Sequence, residues 1–322
     1  MSLSSHVISN GTLEARIANF GASLVDLRLA GIQNSLVLGY PLIEAYPQDG
    51  QFMGAVIGRY ANRIARGSAP VDGCSFQLEC NEEGVGHLHG GSTGFGVSTW
   101  DMVETSVHAV TLRLDSHDGH AGFPGHLTVF ATYELIGAAT LRLTLRATST
   151  ADTIVNLCHH PYFNLDGMPD VGAHKLWIGT DTYLPSHDNL LPIGDIATVE
   201  GTPFDFRMVR PLPRHRYNNT YCLHGNQAGP LTHVATLEAG GVRLELSTTQ
   251  PGLHLYNGYK IKPTARGHSG ELYAAFAGIC LEAQAWPDSP NHAQFPSVIL
   301  RRGVLYEQTT DYAFSSICAG SV

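Results

Sequence analysis

The chain has 322 residues, 43% hydrophobic and 15% charged, with 35 glycines, 17 prolines and a formal net charge of -9. No block of Lys or Arg accompanies that acidic balance, which sets aside nucleic acid and anionic membrane surfaces as main partners. No apolar run approaches a membrane span, and Met1-Ser-Leu-Ser-Ser-His6 lacks a basic region followed by an apolar stretch, so a cytoplasmic protein without a leader is expected.

Few charges and many turn formers suit short strands and loops better than long amphipathic helices. Residues 1–322 read as one all-β domain, since no linker, repeat or low-complexity segment divides them. Ile43-Glu-Ala-Tyr46 is the one stretch with the look of a short helical turn. Gly58-Arg-Tyr-Ala-Asn-Arg-Ile-Ala-Arg-Gly67 follows, with Arg59, Arg63 and Arg66 broken by apolar residues. This pattern fits a solvated strand edge. It also fits a fixed fork of donors at Arg63 for an oxygen-rich ligand.

His87-Leu-His89-Gly-Gly91 comes next, with Gly94-Phe95 and Trp100 behind it. On an extended segment His87 and His89 point to the same face. A His-x-His pair invites a metal reading, but the next carboxylate is Asp101, beyond a Gly-rich turn. The spacing is poor and neither a metal nor another cofactor is expected. The glycines are read as letting the backbone approach a ligand closely, with His89 as a donor.

Strands of period two then dominate. Val110-Thr-Leu-Arg-Leu114, Leu141-Arg-Leu-Thr-Leu-Arg146 and Val242-Arg-Leu-Glu-Leu246 alternate cleanly. Gly137 and Gly240-Gly241 mark hairpins that join such runs. The whole predicts a large antiparallel β-sandwich with its chemistry on loops and strand ends beside a cleft.

Asn156-Leu-Cys-His-His-Pro-Tyr-Phe-Asn-Leu165 interrupts that regularity. The adjacent His159 and His160 face opposite ways on a strand, so one is structural and the other enters the cleft. Pro161 holds His160 extended, and Tyr162 and Phe163 supply aromatic walls. Gln250-Pro-Gly-Leu-His-Leu-Tyr256 is a turn leading into a strand that carries His254 and Tyr256. Sugar sites combine such aromatic faces with planar polar groups. Last comes Gly278-Ile-Cys-Leu-Glu-Ala-Gln-Ala-Trp286, where Glu282 sits inside an apolar strand. A carboxylate there is costly to bury and has its pKa raised. Cys158, Cys222 and Cys280 lie in similar apolar runs and read as reduced core thiols; Cys74, Cys80 and Cys318 complete the count without zinc-like spacing.

These segments together resemble the aldose 1-epimerase, or galactose mutarotase, family. The resemblance spans nearly the whole chain. It rests on Asn62-Arg63-Ile64, Leu88-His-Gly-Gly91, His160 before Tyr162-Phe-Asn-Leu165, and Leu184-Pro-Ser with Leu191-Pro-Ile-Gly194. It continues through Thr202-Pro-Phe-Asp-Phe-Arg207, Pro251-Gly-Leu-His-Leu-Tyr256 and the stretch from Cys280 to Phe314. It implies a large antiparallel β-sandwich and an isomerase that interconverts the α and β anomers of free aldoses such as glucose or galactose. The implied catalytic base is Glu282, the acid His160, and His89 a second active-site histidine. Asn62 and Arg63 resemble the pair that binds sugar hydroxyls. His254 stands where relatives often carry Gln, and Asn218 where they usually carry Asp. Asn218 keeps hydrogen-bonding capacity without the charge and bears on which sugar is preferred.

The expected partner is a monosaccharide, and the expected state a monomer or homodimer. Three other readings stay open at this point. A glycoside hydrolase needs a second carboxylate, for which Asp205 and Asp288 are the candidates. A non-catalytic sugar-binding protein would use Tyr162, Phe163 and Trp286 as stacking faces. A hexose-phosphate mutarotase needs a cationic cluster, for which Arg59, Arg63 and Arg66 are available.

Overall fold

The period-two runs become long antiparallel strands. The structure is a computed structural model that describes residues 2–223 and 229–317, so Met1 and Cys318 lie outside the described residues. Nine of the described strands form the larger sheet. It runs from Arg210–Pro211 at one edge through Val242–Thr248, Tyr306–Ser316, Thr140–Ser149 and Leu127–Ile136 to Asp101–Thr105 at the other. All its pairings are antiparallel. Alternation sets which side chains turn inward: Leu141, Leu143 and Leu145 are buried. Arg142 and Arg146, between and after them, pair with Asp311 and Glu307 on the neighbouring strand.

A second sheet of five strands orders Ala197–Thr198, Thr182–Leu184, Asn218–Cys222, Gly252–Tyr256 and Cys280–Gln284. Its Leu253, Leu255 and Leu281 share one apolar cluster with Leu141, Leu143, Leu244 and Leu246 of the larger sheet. Two sheets face to face over a common core make the antiparallel β-sandwich expected from the alternation. Gly240 and Gly241 hold φ of 57° and 78°. Those left-handed values suit a two-residue hairpin turn, and glycine takes them without a Cβ penalty. The helical turn at Ile43 is also present, as a 3-10 turn at Ile43–Ala45 continued by Tyr46–Asp49.

Period two fixes what the smaller sheet offers to the outside of the core. Leu281 and Leu255 point into it, so Cys280, Glu282 and His254 point away. Cys158–His160 runs beside this edge, bridged to it through Phe163 and Ile279 and paired on its other side with Ala55–Ile57. Loops from the first hundred residues close over that face. Cys158, Cys222 and Cys280 are buried free thiols, as expected, while Cys74 and Cys80 are exposed.

Candidate active site

Strand register builds the floor of the site. Glu282 is the cross-strand partner of His254, and His254 that of Thr220, so the three form a row across three strands. Glu282 is 1% exposed. Desolvation raises its pKa, and the neighbouring His160, the Cys158 thiol and Arg63 only partly offset that. Cys158 Sγ lies 3.5 Å from Glu282 Oε2 and donates to it.

His160 enters from the adjacent strand. Its Nε2 is 3.6 Å from Glu282 Oε1, and its Nδ1 is 3.5 Å from Cys280 Sγ. The imidazole and carboxylate are thus neighbours just beyond hydrogen-bond length, each free to engage a third group. The Tyr162 ring packs 5.0 Å from the His160 ring, centroid to centroid, and Phe52 covers it from another side. His159 faces the opposite way, as the strand period requires. Its Nδ1 meets the Tyr312 hydroxyl and its Nε2 the Gly54 carbonyl, both at 3.1 Å. Burial lowers the His159 pKa to about 3.

His89 lies beside this pair, its ring 5.8 Å from that of His160. The expectation that His87 and His89 share a face fails. The strand ends at Leu88, and His89 takes a left-handed φ of 53°, which turns its side chain out of the alternation. His87 goes instead into a core cluster, edge-on to Phe123, with Nδ1 on the Glu79 carbonyl. His89 Nδ1 accepts the Asn62 backbone N–H at 3.2 Å, which leaves the ring proton on Nε2. Burial first, then the fields of His160 and Arg63, hold the His89 pKa well below its ordinary value. His89 is therefore a neutral donor.

The glycines after His89 have a different role from the one expected. A Cβ on Gly90 would fall 1.8 Å from the Gly58 carbonyl oxygen, and one on Gly91 2.5 Å from Glu79 Oε2. They admit the chain's own segments rather than a ligand. Gly90 also has φ of 86°. Gly90→Ala is expected to cost at least about 2 kcal/mol and to misplace His89. Urea unfolding with an unchanged midpoint would refute that.

Arg63 is buried, and its guanidinium forms a two-point pair with Glu82: Nε and Nη2 each donate at 2.8 Å. Nη1 is the part of the fork not spent on Glu82. Glu82 was not foreseen; it lies in the polar run Asn81-Glu-Glu83, where nothing local separates it from a solvated loop acid. Asn62 carries φ of 65° and accepts the Arg63 backbone N–H through its side-chain oxygen, which braces the bend. His254 is held at both ring nitrogens, by the Thr220 hydroxyl at 2.8 Å and Asn218 Oδ1 at 2.9 Å. Its pKa falls to about 3, through burial first and then Arg63 and His160. Glu282, His160, His89, Asn62, Arg63, Asn218 and His254 thus stand in one connected cluster.

Other candidates stand apart from it. Trp286 is buried, donates to the Pro251 carbonyl and packs edge-on against Phe295, so it offers no free face; Phe163 lies in the core against Tyr312. Arg59 is buried, and its guanidinium donates to the carbonyls of Pro124, Gly125 and Ser116. It is thereby removed from any phosphate cluster with Arg63 and Arg66. Asp288 accepts the Ala65 N–H and pairs with His292, while Asp205 is engaged by Arg207. Both carboxylates are structural, as their turn contexts indicated. A cavity of about 260 Å³ beside Arg28, Asn34, Met168 and Tyr273 contains none of the acid–base groups. A shallow recess lined by Leu184, Asn218, Thr220 and His254 adjoins them.

Comparison with known proteins gives the family. The family model for aldose 1-epimerase matches residues 4–313. A galactose mutarotase of Rattus norvegicus is 39% identical over 315 residues, covering 94% of this chain and 91% of its own. An aldose 1-epimerase of Escherichia coli (strain K12) is 35% identical over 326 residues, covering 95% and 93%. The crystal structure of a GalM/aldose epimerase homologue from C. elegans superimposes with a TM-score of 0.92 at 28% identity, over 98% of this chain and 100% of that one. With a family match across nearly its full length, the same fold and a buried histidine–carboxylate pair, the chain belongs to the aldose 1-epimerase family.

Proposed function

We propose that this protein is a mutarotase, an isomerase that interconverts the α and β anomers of a free aldose by opening and reclosing the sugar ring. The reading is carried by His160 Nε2 and Glu282 Oε1 lying side by side, 3.6 Å apart, both buried. Ring opening removes a proton from the anomeric hydroxyl and delivers one to the ring oxygen. Both oxygens are bonded to the same carbon, so a base and an acid that stand close together can reach both. The relatives named galactose mutarotase and aldose 1-epimerase, 35–39% identical over nearly the whole chain, support the same reading.

Glu282, as carboxylate, takes the proton of the anomeric hydroxyl. His160 protonates the ring oxygen. The C1–C2 bond then turns, and closure on the other face runs the two transfers in reverse. Each positioned transfer contributes about 10²–10⁴-fold. Burial raises the Glu282 pKa and so strengthens the base. Neutral His89 donates through Nε2 to the same oxygen region. Arg63, held by Glu82, offers Nη1 to sugar hydroxyls, with Asn62, Asn218 and His254 completing the polar surround. Tyr162 and Phe52 supply the apolar walls. A hydrolase would need a second free carboxylate at about 5–9.5 Å, and Asp205 and Asp288 are both engaged elsewhere.

Polarimetry on freshly dissolved α-galactose and α-glucose tests the proposal: the enzyme is expected to speed the approach to anomeric equilibrium. A rate equal to that in buffer, from folded protein, refutes it. Asn218→Asp gives a second expected outcome. The carboxylate would face His254 Nε2 at about the present 2.9 Å and pull that imidazole toward its charged form. The ratio of kcat/KM among glucose, galactose, xylose and arabinose should shift by up to about tenfold, the worth of one charge-assisted hydrogen bond. Ratios left unchanged would show that Asn218 does not select the sugar.

The shared core of the two sheets supports a single domain. Buried free thiols support a reducing, cytoplasmic setting. No helix among the described residues is long and apolar enough to cross a membrane.

A further inference from the structure

The acid–base pair does not stand alone. Cys280 closes against it from one side and Cys158 from the other, and proton transfer uses neither thiol. One donor atom each from His160, Cys280 and Glu282 falls within 4.8 Å of the other two. His160 Nδ1 and Cys280 Sγ are 3.5 Å apart. A tetrahedral zinc ion, with bonds of about 2.3 Å to sulfur and 2.0 Å to nitrogen, holds its sulfur and nitrogen donors about 3.5 Å apart. Cys158 Sγ, 3.5 Å from Glu282 Oε2, adds a second sulfur at the edge of the set.

We propose that His160, Cys280 and Glu282 form a latent site for a borderline-soft divalent cation, zinc above all, and that its occupation switches the enzyme off. The inference rests on the mutarotase reading, because the ion would take the two groups that the sugar needs. The donor set of imidazole nitrogen, thiolate sulfur and carboxylate oxygen suits zinc and cobalt(II), and is a poor one for magnesium or calcium, which prefer oxygen alone. Binding forms a sulfur–metal bond and releases the Cys280 thiol proton to solvent. Affinity therefore rises with pH. The carboxylate lone pair that the ion takes is the one that accepts the anomeric proton, and the ion fixes the His160 ring through Nδ1 beside it, so the pair cannot serve the sugar while it is bound. Metal and sugar then exclude each other.

The test uses full-length protein in which Cys74, Cys80 and Cys318 are replaced by serine, which leaves the buried Cys222 as the one thiol outside the site. Cobalt(II) is titrated into the chelator-treated enzyme and followed by thiolate-to-cobalt charge-transfer absorption. One cobalt per chain is expected, with the band lost in Cys280→Ser and lost when excess galactose is added. Zinc at about ten times its dissociation constant should raise the KM for galactose about tenfold and leave kcat unchanged. Magnesium at the same concentration should leave both KM and kcat unchanged. Should Cys280→Ser fail to fold, expulsion of cobalt by galactose decides the question. The proposal is overturned by absence of the band, by a band that survives Cys280→Ser in folded protein, or by inhibition that lowers kcat alone. It is also overturned if chelator-treated enzyme is inactive until zinc is restored, since the ion would then be a cofactor. Chelator-treated enzyme that stays inactive whatever is added sinks the mutarotase reading instead, while the cobalt band, which needs no turnover, still decides the metal site.

Discussion

Replacing Glu282 with Gln is expected to cost about 10²–10⁴-fold in kcat for mutarotation while making the protein more stable at neutral pH. The two effects share one cause. Glu282 sits at 1% exposure, and desolvation is the largest influence on its pKa, which is raised. Gln keeps the shape and can still accept from Cys158, but it cannot take a proton from a hydroxyl. A carboxyl whose pKa is higher in the folded state binds protons more tightly there. Folding is therefore favoured below the ordinary Glu value, and that benefit is lost as pH rises through the raised value. Above both, wild type carries the full cost of a buried carboxylate and Glu282→Gln does not. Urea unfolding of the two proteins across this window should show wild type falling behind as pH rises. The acid limb of wild-type kcat/KM should sit above the ordinary carboxylate range for the same reason. Polarimetry that finds most of the acceleration intact in Glu282→Gln removes Glu282 as the base.

How much of this was legible in the sequence depends on how local each cause is. Strand alternation is local, and it placed Leu141, Leu143 and Leu145 inward and separated His159 from His160 correctly. Glu282 was legible because an ionisable side chain between Leu281 and Ala283 contradicts its surroundings. His87 and His89 misled because one backbone angle, the φ of 53° at His89, breaks the period that the pair implies. Arg59, Arg63 and Arg66 look alike in sequence. Only tertiary structure separates Arg59, spent on three backbone carbonyls, from Arg63, clamped by Glu82 nineteen residues further on. The approach of Cys158 and Cys280 to the acid–base pair joins residues more than a hundred positions apart, and no local pattern records it. Trp286 has the chemistry of a sugar platform, but its indole N–H is satisfied by Pro251 inside the fold.

Acid should unfold this protein steeply, beginning near pH 6. His159 and His254 are buried and neutral, with pKa values lowered to about 3, and burial lowers those of His87 and His89 as well. In the unfolded chain each titrates near the ordinary value of about 6.5. Between that value and the lowered one the unfolded state holds a proton that the folded state does not, so stability is full above about pH 6.5 and is lost as pH falls. Each histidine contributes a slope of about 1.4 kcal/mol per pH unit in that window. At pH 4.5 His159 and His254 together cost about 5 kcal/mol, comparable to the whole stability of about 5–15 kcal/mol typical of a folded domain. Glu282 opposes this trend, but it is one group against several. Urea midpoints at pH 7, 5.5 and 4.5 measure the slope, and His254→Gln should make it shallower by about one proton. That variant separates two meanings of burial. If His254 is neutral because the fold excludes its charge, removing it relieves the acid sensitivity. If the slope is untouched, His254 is protonated in the native protein, and its bond to Asn218 is a charged one that the sugar site would have to accommodate.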